Sequence, residues 1–87
     1  MNVVLSDHAR RQADRRGIGQ AILRAVAEFP EQVVPVRPGR EIRHSRVPFP
    51  PAGDAYLVRV VVDVSPGVET VVTVYRTSKI DKYWRGK

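Results

Sequence analysis

Apolar residues recur at two different periods along this chain, and the change falls at Pro30. Before it, Leu5, Ala9 and Ala13 return every four residues on a narrow stripe whose opposite side is charged, the spacing of one helix face. Ser6 stands where a hydroxyl caps the first helical turn, and Asp7 suits the positive helix end. Gly17 supplies the left-handed residue that closes a helix, with Arg15 and Arg16 suiting its negative end. A second helix is predicted over Gly19 to Phe29, because Ile22, Val26 and Phe29 fall at i, i+4 and i+7. Ile18 and Leu23 sit where a hydrophobic staple about a Gly19 N-cap would place them. Pro30 lacks a donor and turns Phe29 away from the helical region, so the helix stops there.

After Pro30 the pattern alternates as strands do. Gln32 to Val36 predicts a short edge strand, since Pro35 cannot donate to a ladder. Arg37-Pro38-Gly39-Arg40 carries the type II turn signal, and Glu41 to Val47 continues as the partner strand. Pro48 to Asp54 predicts a loop whose apolar tip is Phe49, either packed down or free for docking. Ala55 to Val64 gives the clearest strand, with Tyr56, Val58, Val60, Val62 and Val64 on one face and Leu57, Arg59, Val61 and Asp63 on the other. Ser65-Pro66-Gly67 turns the chain, and Val68 to Thr77 returns it, with Val72 and Val74 on one face and Val71, Thr73 and Tyr75 on the other.

These elements define an α+β fold across residues 1–87 as one domain: two N-terminal helices packed on the valine face of a three- to four-stranded antiparallel sheet. The second face is mixed and is left for solvent or a ligand. The valine core is small, so modest stability is expected unless a partner or a homodimer adds burial.

Charge sharpens this picture. Fifteen Lys and Arg against nine Asp and Glu give +6, and twelve of the cations are arginine. The excess falls in three blocks, Met1–Ala27, Arg37–Arg46 and Arg76–Lys87, around a mildly acidic remainder. Arginine's planar fork suits phosphate, so a nucleic-acid partner is expected, on condition that the blocks converge over the uncovered sheet face. The competing reading is a solvated surface. No cysteine is present, which removes disulfides, thiol nucleophiles and cysteine zinc sites. The apolar runs are far too short to cross a bilayer, and charge arrives by Asp7, so no membrane partner and a cytoplasmic location are expected.

The opening "LSDHARRQADRRGI" resembles the His-Ala…Arg-Gly-Ile signature of a family of short bacterial proteins known as a domain of unknown function. Its marker positions here are His8, Ala9, Arg16, Gly17 and Ile18, followed by Thr73. The ending "VVTVYRTSKIDKYWRGK" resembles the last strand and Lys-rich tail of that family. The resemblance implies kinship with the RelE/ParE/BrnT toxin superfamily, many of whose members are ribonucleases that cleave mRNA and are paired with antitoxins; others inhibit gyrase. It therefore implies a RelE-like fold, an RNA substrate and an antitoxin protein partner. By position type, the working residues would be Arg59, Tyr75, Arg76, Lys79, Lys82 and Tyr83.

The residues are compatible with one chemistry in particular. Two histidines without a close His-x-His or His-x-x-x-His pair make no metal site. The serines lack a nucleophile elbow, and no glycine-rich phosphate loop exists. Attack by an RNA 2′-hydroxyl needs only a base, an acid and cations, with no metal or cofactor. His8 or His44 could be the base, Arg43, Arg59 or Arg76 could hold the phosphate, and Tyr75 or Tyr83 could stack a base. The catalytic candidates are His8, Arg59, Tyr75 and Arg76. The candidates for holding nucleic acid are Arg40, Arg43, His44, Arg46, Lys79, Lys82 and Tyr83. Against these stand structural roles: His8 packing at a helix start, Arg59 and Asp63 pairing across to Glu69, and Tyr83 and Trp84 folding back on the domain. A non-catalytic module that binds nucleic acid or protein is the alternative function.

Overall fold

The computed structural model describes residues 2–86, so Met1 and Lys87, the two ends of the predicted domain, lie outside the described residues. Strand β1 (Asn2–Leu5) opens the chain, followed by helices α1 (Asp7–Arg15) and α2 (Gln20–Glu28). Four strands follow: β2 (Gln32–Arg37), β3 (Arg40–Phe49), β4 (Asp54–Ser65) and β5 (Val68–Thr77). A one-turn helix, α3 (Ile80–Tyr83), ends the described chain. The sheet has five strands in the order β1-β5-β4-β3-β2. It is mixed, because β1 pairs parallel to β5 while every other pair is antiparallel. The expected α+β class holds, but the three- to four-stranded antiparallel sheet is corrected. Four residues with no alternation to speak of hid β1, and α3 is too short to show a helical period.

One serine explains much of the N-terminal half. Ser6 accepts a hydrogen bond from the Ala9 N–H at 3.0 Å and so caps α1. Its hydroxyl also donates to the Val72 carbonyl at 3.2 Å, and its own N–H donates to Val71. The helix start is thereby tied to β5. At the other end Gly17 takes φ +68°, and the Ile18 N–H returns to the Ala13 carbonyl, closing α1 as expected. Helix α2 then buries Leu23, Val26 and Ala27.

The core lies between these helices and one face of the sheet. Ala9, Ala13, Ile18, Leu23, Val26 and Ala27 pack against Val58, Val60, Val62, Val71 and Val74, with Phe49 at one end. Phe49 is stapled down, not free for docking: its ring meets Tyr56 edge-on at 5.5 Å. Phe29 is a departure. It was expected on the buried face of α2 and is 80% exposed, because as the C-cap it leaves the helical conformation (φ −135°, ψ 61°) and its side chain leaves the stripe.

Two shifts of register shape the sheet. In β5 the pairing steps by one residue between Val61↔Thr73 and Val62↔Val71, leaving Val72 as a bulge. Val71 therefore joins Val74 on the helix face, where Val72 was expected. In the β2–β3 hairpin the pairing steps between Arg37↔Arg40 and Pro35↔Glu41, at an edge strand, as Pro35 requires.

Because Ser6 supports both a helix cap and the bulged strand, Ser6→Ala is expected to lower stability by about 1–2 kcal/mol. Val33→Ala, at a half-exposed edge position, is expected to change it by less than about 0.5 kcal/mol. Urea midpoints at constant slope measure both.

A covered polar row as the candidate functional site

Cross-strand pairing sets four polar side chains in a line on the sheet face away from α1 and α2. Gln32 pairs with His44, His44 with Arg59, and Arg59 with Tyr75, so the row crosses β2, β3, β4 and β5. Each member bonds the next. The His44 Nε2 meets Gln32 Oε1 at 2.8 Å. Arg59 donates from Nε to His44 Nδ1 at 3.2 Å and from Nη1 to the Tyr75 hydroxyl at 2.7 Å. Guanidinium has no acceptor, so Nδ1 must be bare and the imidazole proton sits on Nε2, where it donates to Gln32.

The row is not open to solvent. His44 is fully buried and Arg59 is 6% exposed. The C-terminal segment covers them. Trp84 stacks over His44 with ring centres 5.6 Å apart, and the Arg46 guanidinium lies 4.1 Å from the indole centre. The Tyr83 ring sits 4.2 Å from the Arg59 guanidinium. Gln32 grips the segment by its backbone, donating from Nε2 to the Arg85 carbonyl at 2.7 Å and accepting from the Arg85 N–H at 3.1 Å. Leu57, on the same face, is fully buried as well. Tyr83 and Trp84 thus fold back on the domain, and the expected uncovered face is covered along this row.

Burial and the neighbouring Arg59 charge, in that order, push the His44 pKa below the ordinary 6.5, against the weaker pull of Glu31, while Arg85 pushes the same way as Arg59. The neutral ring is the form the fold prefers.

The remaining candidates divide by face. Arg40 and Arg46 share the row's face, but each is engaged by a carboxylate: Arg40 by Asp63, and Arg46 by Glu31. These pairs hold Asp63 and Glu31 below the usual carboxylate range. Asp63 pairs with Arg40, and Glu69 with Arg43, in place of the expected Arg59–Glu69 contact. Lys79 and Lys82 are exposed on the covering segment. Arg43 points the other way. It is buried among the helices, donating to the Ala27 carbonyl, Glu69 and Glu41, which makes it a strut between α2 and the sheet. Arg76 also lies on the helix side, stacked on Phe49 and Tyr56 at 4.3 and 4.8 Å. It lines a groove of about 550 Å³ with Asp14, Arg15, Arg16 and Gly17. His8 is exposed on α1. The structure therefore brings together His44, Arg46, Arg59, Tyr75 and Tyr83, and leaves His8, Arg43 and Arg76 elsewhere; the three basic blocks do not converge on one surface.

Sequence reasoning missed Gln32 and Trp84 as members. Counted in step from the Pro38-Gly39 turn, His44 would face Val33, and only the register shift at Pro35 brings Gln32 opposite. Trp84 lies beyond the last strand, where no pairing pattern reaches. Among the described residues no three His, Asp or Glu side chains gather as metal ligands.

A family model described as "Domain of unknown function (DUF4258)" matches residues 5–76. The chain belongs to that family. The row lies within the matched segment, and most of its cover lies beyond it. No curated protein matches the chain. No solved structure matches it. No helix is long and apolar enough to cross a membrane among the described residues.

Since the folded state depresses the His44 pKa, the unfolded chain binds that proton first as pH falls. Stability from neutral His44 is thus present above about pH 6.5 and is lost on acidification through the lower folded value. The paired carboxylates act only further down, below about 4.5. Urea midpoints measured across pH 7 to 5 are expected to fall for the native chain, and to fall less for His44→Gln.

Proposed function

We propose that this chain is a toxin-type RNA-cleaving domain of the RelE/ParE/BrnT kind, acting without metal or cofactor at the His44–Arg59–Tyr75 row. One observation carries the reading: a single guanidinium stands within hydrogen-bond reach of both a neutral imidazole with a bare ring nitrogen and a phenol. The +6 charge and two helices laid on a largely antiparallel sheet support it. In such a site Arg59 swings from His44 to the phosphate and neutralises the charge that builds in the transition state. That frees His44 Nδ1 to take the proton of the attacking 2′-hydroxyl. The oxygen–phosphorus bond forms, the bond to the 5′-oxygen breaks, and that oxygen takes the Tyr75 hydroxyl proton. The products are a 2′,3′-cyclic phosphate and a 5′-hydroxyl end. His44 replaces His8 as base, and Arg76 has no part. A domain of this type would work in the bacterial cytoplasm under the restraint of an antitoxin protein.

The burial of His44 and Arg59 favours a second reading. A row whose polar atoms are already paired suits a module that binds nucleic acid or protein without turnover.

Purified protein with a single-stranded ribo-oligonucleotide separates the two. Cleavage that needs a 2′-hydroxyl and falls by about 100-fold or more in Arg59→Ala and in His44→Ala supports the enzyme. Intact RNA with salt-dependent binding supports the module.

A further inference from the structure

The segment over the row makes interactions that a nucleotide could make in its place. Its indole lies flat on His44 and beside the Arg46 guanidinium, a surface suited to any planar π-system. The next residue, Arg85, offers its carbonyl and its N–H to the Gln32 amide, which answers with one donor and one acceptor. A side-chain amide reads adenine through the same bidentate pattern.

The attachment is also slight. A four-residue helix, two hydrogen bonds from Gln32 and three ring contacts hold the segment in place. Every one of them is of a kind that the proposed ligand can replace, so exchange leaves no buried group unpaired.

We propose that His44, Arg46 and Gln32 form a nucleobase-stacking subsite for adenine in single-stranded RNA, and that Trp84 is its internal occupant. Segment and RNA then compete for one surface, and the domain holds its own row closed until RNA displaces the tail. The inference rests on RNA as the ligand of the row, but not on cleavage.

Trp84 is the only tryptophan in the chain, so its emission reports directly on the exchange. The probe is a short 2′-O-methyl oligoadenylate, which binds without being cut. Saturation of the native protein is expected to shift Trp84 emission to that of a solvent-exposed indole. Trp84→Ala is expected to bind the oligoadenylate about 10-fold more tightly, and to prefer it over oligouridylate, because the internal competitor is gone. Unchanged emission at saturation overturns the proposal, as does a Trp84→Ala protein that binds no tighter. The emission arm uses the native chain and stands even if the variant does not fold. Tighter binding in Trp84→Ala with intact unmethylated RNA keeps the subsite and removes the nuclease. His44-dependent cleavage with emission and affinity unchanged does the reverse. Absence of any binding by either protein overturns both.

Discussion

Arg59 faces Tyr75 because β5 carries one residue more than its turn calls for. Counted in step from Ser65↔Val68, Arg59 would stand against Val74; the bulge at Val72 moves Tyr75 into that place and turns Val74 into the core. A matching step at Pro35 moves Gln32 opposite His44. A shift of one residue reverses which face a side chain occupies, so each irregularity decides at once what is buried and what can react. The polar row and the valine core are two consequences of the same register, and Ser6, which bonds the bulged strand while capping α1, links the helices to it.

Burying a guanidinium and an imidazole demands partners, and the row supplies them in sequence from Gln32 to Tyr75. No buried side-chain nitrogen or oxygen among the described residues is left without a partner. The proton on His44 Nε2 is dictated by this chain of donors and acceptors, since Arg59 can only give. The C-terminal segment finishes the burial with one ring over the imidazole and one over the guanidinium. The arrangement is thus closed and satisfied as it stands, and any ligand must offer equivalent contacts to open it. Arg43 shows what a cation looks like when it serves structure alone: it bonds a helix carbonyl and two carboxylates on the face opposite the row.

The two helices, the Pro38-Gly39 turn and the valine face of β4 were legible in the sequence because each follows from local spacing. Strand β1 was not, since four residues pair with β5 across more than sixty positions of chain. His44, Arg46, Arg59 and Tyr75 were legible as polar residues on strands. Their convergence was not, because two bulges decide it and neither leaves a mark on the alternation. Arg76 was misplaced because it was taken by position type from the resemblance, although its parity follows Val74 on the helix side. Trp84 was legible only as an aromatic reluctant to meet water.

The nitrogen chemical shifts of the His44 imidazole, recorded by NMR near neutral pH, test the account most directly. A bare Nδ1 and a protonated Nε2, with the Arg59 Nε–H coupled to the ring, are the predicted pattern. A ring protonated on Nδ1, or one exchanging freely between tautomers, would contradict the row and the closed site built upon it.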